Sequence, residues 1–163
     1  MFHPTQLRKW QGAILLRAEQ ETVEAVIGDS YEVIEPLGLG AETLVYKVKE
    51  RKTGAFYVAK SLNPMGVWCD PKTARFRSGH LHDMAMTLQR VSGHNNIIQY
   101  HEFREKKIDG ELIEVLIREY KEGRSLDYFI REKVTIPESP LERNITNPML
   151  GALMHLRDRG EVH

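Results

Sequence analysis

The sequence predicts an α+β domain, in which a five-stranded antiparallel sheet carries one helix and further helices follow. Three observations predict it. Between residues 31 and 60, three strand-like segments with apolar and polar residues in alternation are separated by short turns. Two apolar segments farther along the chain flank Asp109-Gly110, a strong β-hairpin signal. Apolar residues recur at helical spacing before, between and after these strands.

The first predicted element is a helix over residues 5–27, because apolar residues from Leu7 to Ile27 recur at roughly helical spacing. Gly28-Asp29-Ser30 ends this helix. We expect its apolar face to pack on the surface of the domain. A helix that binds a partner or lies on a membrane surface is the alternative.

Three strands follow, over residues 31–37, 44–49 and 55–60. Gly38-Leu39-Gly40 connects the first two, and Lys52-Thr53-Gly54 connects the next two. Because both connections are short, the three strands form an antiparallel meander. A loop that contains proline and glycine leads out of the third strand.

The second half of the sheet begins with a helix. Residues 73–91 place apolar side chains on one helical face, and the segment after Ser92 stops the helix. Apolar strands over residues 97–103 and 112–117 then form the hairpin around Asp109-Gly110.

Two more helical segments complete the chain. A short one covers residues 125–133, and a final helix places Ile145, Met149, Leu153 and Leu156 on one face. Pro148 is expected to restart that final helix, with Asn147 as its N-cap.

Composition limits the class of protein. The chain has 163 residues, which suits one domain, and it has 23 basic and 23 acidic residues. Balanced charge gives no argument for a nucleic acid partner. The apolar runs are too short to span a bilayer, the N-terminus shows no secretory signal, and the single Cys69 fits a reducing compartment. We therefore expect a cytoplasmic protein that binds neither nucleic acid nor membrane.

Two local motifs carry chemistry. Gly38-Leu39-Gly40, followed by Val45, has glycines where backbone N–H groups could approach phosphate oxygens. Two glycines between strands are by themselves more often only a hairpin. Lys60 lies on the third strand, twenty residues after Gly40. A single strand lysine is usually solvated, so the significance of both motifs depends on their order and spacing.

In that order and spacing, residues 31–163 resemble the eukaryotic-type protein kinase domain, and more loosely its calcium/calmodulin-dependent branch. The resemblance implies a kinase N-lobe over residues 31–118 and a hinge with the start of an incomplete C-lobe over residues 119–163. Residues 1–30 are then an N-terminal helical extension. His163 matches the first residue of the family's His-Arg-Asp motif.

The resemblance implies ATP as the cofactor. Lys60 would contact the α- and β-phosphates, Glu119 and Lys121 would read the adenine edge through their backbones, and Ser125 and Asp127 would contact the ribose. The implied cofactor-binding residues are Leu37, Gly38, Gly40, Val45, Val58, Lys60, Arg118, Glu119, Lys121, Ser125 and Asp127. The implied catalytic residues are Lys60, Asp83 and His163.

Several positions differ from the family pattern. The third glycine of the loop is Thr43 here, and the aromatic residue at its tip is Glu42. The glutamate that pairs with the strand lysine corresponds to Met84, with Asp83 beside it. Either Asp83 reaches Lys60 after a one-residue shift, or Met84 is core and Asp83 is solvated.

The residue before the hinge also differs from the family pattern. Arg118 occupies a position that faces a mostly apolar back pocket, so its guanidinium needs a carboxylate or water. Asp83 is one conceivable partner. Alternatively, Arg118 partly fills the nucleotide site.

These features predict the ATP-binding portion of a serine/threonine protein kinase. The family's catalytic aspartate and magnesium-binding residues lie beyond His163, so we expect no metal site in this chain. Magnesium would bind only together with those residues. We also expect no phosphotransfer by residues 1–163 alone. The alternatives are a truncated pseudokinase that acts as a regulatory or protein-binding module, and an unrelated α+β domain. The partners would be a protein substrate, a regulatory protein, or a second copy bound through the exposed C-terminal helices.

Overall fold

The computed structural model describes residues 16–17, 19–40, 42–64, 79–135 and 137–161, and it confirms the predicted α+β class. Its centre is a five-stranded antiparallel sheet in the order β1-β2-β3-β5-β4. The strands are β1 (Tyr31–Leu39), β2 (Thr43–Glu50), β3 (Phe56–Leu62), β4 (Tyr100–Ile108) and β5 (Glu111–Glu119). The helices are α1 (residues 16–17 and 19–27), α2 (His80–Val91), α3 (Leu126–Arg131), α4 (Glu138–Leu141) and α5 (Asn147–Asp158).

Helix α1 covers one face of the sheet, as the sequence predicts. Val23 and Ile27 are completely buried against a cluster that includes Tyr46, Ala59 and Ile117. This face is the larger of two apolar cores. Residues 5–15 of the predicted helix and residues 73–78 of the next one lie outside the described part of the chain.

Hydrogen bonds fix this helix to the sheet. The Tyr46 hydroxyl donates to the Leu16 carbonyl at 2.9 Å, and burial raises the pKa of Tyr46 to about 12. Lys106 Nζ donates to the Ala25 carbonyl at 2.9 Å, and Arg51 Nε donates to the Gly28 carbonyl at 3.1 Å. The helix is therefore part of the folded unit.

A polar cluster holds the turn between α1 and β1. Arg104 on β4 donates to Asp29 at 2.5 Å, to Ser30 at 3.0 Å and to Glu102 at 2.8 Å. The Tyr31 hydroxyl donates to the other oxygen of Glu102 at 2.8 Å. Because Arg104 bridges this turn and strand β4, the cluster holds the start of β1 beside β4.

Helix α2 packs on the opposite face of the sheet. Leu81 and Ala85 are completely buried against Leu116, and Met84 and Leu88 pack around them. This arrangement agrees with the helical periodicity of the sequence. The sheet therefore has an α1 face and an α2 face.

The start of α2 is held by a carboxylate from the sheet. Glu114 on β5 is 4% exposed, and its side chain accepts hydrogen bonds from the backbone N–H groups of Gly79 and Leu81. These groups belong to the first turn of the helix, where N–H groups lack intrahelical partners. Burial, followed by repulsion from Glu105 on the neighbouring strand, raises the pKa of Glu114 above its usual 4.5. Glu114 therefore anchors α2 to β5.

This raised pKa predicts a pH dependence of stability. The stabilising contribution of protonated Glu114 is complete below the unfolded-state pKa near 4.5 and is lost as the pH rises through the higher folded-state pKa. We expect Glu114→Gln to flatten this decrease in the free energy of unfolding, measured by urea denaturation from pH 4 to pH 8. His82 and Glu105 titrate near this carboxylate, so the comparison is with Glu111→Gln, an exposed change on the same strand. A profile for Glu114→Gln as steep as that of wild type would contradict the prediction.

The hairpin between β4 and β5 turns where the sequence predicts. Asp109 and Gly110 have φ values of 51° and 90°, which is the backbone that a two-residue hairpin turn requires. Strand β4 runs over Tyr100–Ile108, so the predicted strand over residues 97–103 starts too early. Gln99 explains the difference, because its amide donates to the carbonyls of His94 at 2.9 Å and Ile97 at 2.5 Å and so maintains a turn.

The C-terminal segment has an irregular start. A π-helical turn (Glu142–Thr146) joins α4 to α5, and Pro148 lies in the first turn of α5. Pro148 therefore lies at the start of α5, but the backbone stays helical through Thr146, so the chain is not interrupted there. Thr146 is the N-cap residue instead of Asn147, and its side chain makes no capping hydrogen bond.

The end of α5 contacts the end of α2. His155 Nε2 lies 3.0 Å from the Val91 carbonyl, and Arg159 donates to the Arg90 carbonyl at 2.5 Å. Arg90 also forms an ion pair of 2.7 Å with Glu161. Basic side chains thus contact carbonyl groups at the C-terminus of α2. These carbonyl groups have no hydrogen-bond partners within the helix.

The outer side of α5 exposes apolar residues. Met149, Leu150, Leu153 and Met154 are 47–56% exposed. Ile145 and Leu156, which the sequence placed on the same exposed face, are half-buried. Within the described segments, no helix is both long enough and apolar enough to cross a bilayer.

Candidate functional site

The α2 face of the sheet collects four of the predicted site residues. Lys60 pairs with Val45 on β2 and with Leu116 on β5, and Val58 pairs with Arg118. Leu116 is buried against α2, and side chains alternate between the two faces of a strand. Val45, Val58, Lys60 and Arg118 therefore share the face that carries α2.

Lys60 is half-buried, and no acidic partner contacts it among the residues that the structure describes. Burial, followed by the positive charge of Arg118, lowers the pKa of the Lys60 ammonium group, whereas Glu42 acts in the opposite direction. Within the described residues, no carboxylate forms an ion pair with Lys60. Lys60 is thus a cation available to an anionic ligand.

Arg118 is the second cation on this face for which the described residues supply no ion-pair partner. Its Nε atom is buried and has no hydrogen-bond partner within the described residues, and burial lowers the pKa of the guanidinium. Lys60 and Arg118 thus lie on the same face, and within the described residues neither forms an ion pair with a carboxylate.

The structure distinguishes between the two expectations for Asp83 and Met84. The Asp83 side chain is 88% exposed, and its carboxylate lies 3.9 Å from His82 Nδ1. Met84 packs against the cluster formed by Leu81, Ala85 and Leu116. In this structure Asp83 therefore reaches neither Lys60 nor Arg118, because the register of α2 turns Met84 toward the sheet.

The predicted turn Gly38-Leu39-Gly40 starts too early, because Gly38 and Leu39 belong to β1 and only Gly40 lies in the connection to β2. Gly40 donates its N–H to the Thr43 carbonyl at 2.8 Å, and a Cβ at this position would lie 3.2 Å from that oxygen. A Cβ at Gly38 would meet nothing within 4 Å, so the chain itself leaves space beside it. Leu37 next to it is 45% exposed. A side chain at Gly40 would press on the turn, whereas the space at Gly38 is open to a ligand.

Asn63 fixes this connection, and sequence reasoning missed it. Asn63 is 7% exposed; its backbone N–H donates to the Glu42 carbonyl at 2.8 Å and its side-chain amide donates to the Gly40 carbonyl at 2.9 Å. The Glu42 carboxylate in turn lies 3.5 Å from His80 Nε2, at the first residue of α2. An asparagine directly after a strand was the available signal, because its amide commonly bonds to backbone groups of turns.

The end of β5, where the following segment begins, is held by hydrogen bonds to Gln99. Glu119 donates its N–H to the Gln99 carbonyl at 2.9 Å, and the Gln99 N–H donates to the Glu119 carboxylate at 3.2 Å. The same carboxylate forms an ion pair with Lys121. Within the described part of the chain, the Lys121 backbone N–H makes no hydrogen bond, so it is available to a ligand.

The remaining predicted site residues have local partners. Ser125 Oγ accepts the Tyr128 N–H at 3.3 Å and caps α3, and Asp127 pairs with Arg131 at 2.9 Å. Their assignment to a ribose stays a prediction. His163 lies outside the described residues. In the segments that the structure describes, no three metal-binding side chains converge on one point.

Comparison with known proteins gives a consistent result. The family model described as the protein kinase domain matches residues 31–163. A curated relative, the "Negative regulator of sexual conjugation and meiosis" of Schizosaccharomyces pombe, is 28% identical over 138 residues, which are 85% of this chain and 27% of that protein.

A solved structure has the same fold. The crystal structure of Rad53 1-466 in complex with AMP-PNP matches with a TM-score of 0.63 and 21% identity, over 83% of this chain and 32% of that one. The chain therefore spans less than a third of either protein. Because the family model covers most of the chain and the sheet, the helix and the following helices agree with it, this chain belongs to the protein kinase domain family.

Proposed function

We propose that this chain binds ATP between its sheet and its hinge, as part of a serine/threonine protein kinase. The observation that carries the proposal is the pair of unpaired cations, Lys60 and Arg118, on the face that also presents Val45 and Val58. Membership of the protein kinase family supports it. The complex of the similarly folded Rad53 with AMP-PNP, an ATP analogue, also supports it.

The residues present fit this ligand. Val45 and Val58, which share one face of the sheet, would contact one side of the adenine. The Glu119 carbonyl and the Lys121 N–H, which makes no hydrogen bond within the described residues, would bind its edge. Lys60 would bind phosphate oxygens beside the connection that Asn63 holds. ATP would supply a transferable phosphoryl group, and the chain's own residues would bind and orient it.

The class of substrate and the cellular compartment are also part of this proposal. We infer hydroxyl groups of serine and threonine in a protein substrate as acceptors, and the cytoplasm as the compartment.

A second function is favoured by one observation. The exposed apolar residues of α5, Met149, Leu150, Leu153 and Met154, form a surface of the kind that marks protein contacts. A regulatory module would use this surface to bind a protein partner or a second copy, with or without a nucleotide. Sedimentation velocity at several concentrations separates self-association from a monomer.

The test of the main proposal is stabilisation by ATP. Ligand that binds only the folded state raises its stability, by about 2.7 kcal/mol at a hundredfold excess over Kd. We expect ATP to raise the midpoint of thermal unfolding of the wild-type chain progressively with concentration. No shift with millimolar ATP, together with concentration-dependent association, would favour the regulatory module.

A further inference from the structure

Lys60 and Arg118 are placed as a pair by the register of the sheet. In the β3–β5 ladder, Lys60 lies opposite Leu116, and Arg118 is two residues beyond Leu116. The two cations are therefore diagonal neighbours on one face, at a backbone separation of roughly 7–8 Å that long side chains can bridge.

Two candidate acidic partners of this pair, Asp83 and Glu42, are engaged elsewhere. Asp83 is 88% exposed and lies beside His82. Glu42 influences Lys60 electrostatically, but its carboxylate lies 3.5 Å from His80 Nε2. Within the described residues neither cation has an ion-pair partner, and Arg118 Nε is buried without a hydrogen bond.

Two cations in a partly buried site repel each other. Within the described residues Arg118 Nε is also buried without a hydrogen-bond partner, which is costly. The lowered pKa of Lys60, to which burial contributes most and Arg118 next, agrees with this repulsion. An anion that contacts both groups removes both penalties at once. The two cations therefore favour the binding of a ligand with more than one negative charge.

We propose that Lys60 and Arg118 together form an anion-binding subsite that takes a phosphate chain. A carboxylate would neutralise only one cation, whereas a phosphate chain offers several oxygens to the fork of Arg118 and to the ammonium group of Lys60. The inference rests on the proposed nucleotide function, since it adds Arg118 to the residues that bind the phosphates. The chain could come from a nucleotide or from inorganic pyrophosphate.

Isothermal titration with pyrophosphate, ATP and adenosine in magnesium-free buffer tests this subsite. The variant is Arg118→Met, which keeps the apolar length of the side chain and removes an unpaired charge, so we expect it to fold. The matched control is Arg131→Met, because Arg131 is exposed and lies on α3. Lys60→Met serves as a second variant for the same subsite.

We expect wild type and Arg131→Met to bind pyrophosphate, and Arg118→Met and Lys60→Met to bind it at least about tenfold more weakly, as expected for the loss of one charged hydrogen bond. Adenosine affinity should not change. An equal loss for ATP identifies the nucleotide as the source of the phosphate, and a loss for pyrophosphate alone identifies the inorganic anion.

Two results would overturn the subsite. The first is wild-type pyrophosphate affinity in both variants, and the second is no pyrophosphate binding by wild type. The proposed function fails separately: if ATP does not bind to wild type but pyrophosphate does, the nucleotide assignment is wrong and the anion subsite remains.

Discussion

Replacing Ile27 by alanine is expected to lower the free energy of unfolding by about 2–5 kcal/mol, the usual cost of truncating a buried isoleucine. Ile27 is completely buried between α1 and the sheet. The kinase family model begins at residue 31, so this contact lies outside the matched segment. A large effect would show that the helix is needed to complete the core of the lobe.

Urea denaturation of wild type and Ile27→Ala measures this effect. Ile130→Ala is the matched control, because Ile130 on α3 is 69% exposed and should change stability by less than about 0.5 kcal/mol. If Ile27→Ala were as stable as Ile130→Ala, α1 would not pack on the sheet as described here.

Replacing Lys60 by methionine is expected to weaken ATP binding by about ten- to a hundredfold, because a hydrogen bond to a charged group contributes about 1.5–3 kcal/mol. The substitution removes a half-buried ammonium group whose charge is disfavoured by burial and by Arg118. We therefore expect Lys60→Met to be at least as stable as wild type, so that a loss of binding reflects the site and not the fold.

Isothermal titration with ATP measures this loss. Lys107→Met is the matched control, because Lys107 is exposed near the end of β4, beside the Asp109-Gly110 turn, and the affinity of this variant should equal that of wild type. Unchanged ATP affinity in Lys60→Met would mean that ATP, if it binds, does so elsewhere.

The sheet could be predicted from the sequence because its signals are local. Alternation in β2, the short turn before β3 and the Asp109-Gly110 turn depend on neighbouring residues alone. The predicted start of β4 is three residues early because the Gln99 side chain bonds to loop carbonyls, and apolar periodicity carries no information about that contact.

The candidate site was only partly predictable for the same reason. Lys60, Val45 and Val58 could be found from motif spacing, and the strand register brings them together. The tether formed by Asn63 depends on two carbonyls about twenty residues earlier, and the environment of Arg118 depends on a neighbouring strand. Helical geometry alone allowed either Asp83 or Met84 to face the sheet. Packing of α2 on Leu116 buries Met84 and leaves Asp83 exposed.

The measurement that tests the central claim most directly is hydrogen–deuterium exchange of the wild-type chain with and without ATP. We predict slower exchange on ATP addition in residues 38–40, 42–45 and 119–122, which border the α2 face and the hinge. Exchange in α5 should not change, because it lies outside the proposed site. Protection confined to α5, or no protection in any of these segments at saturating ATP, would contradict the assignment of this face as a nucleotide site.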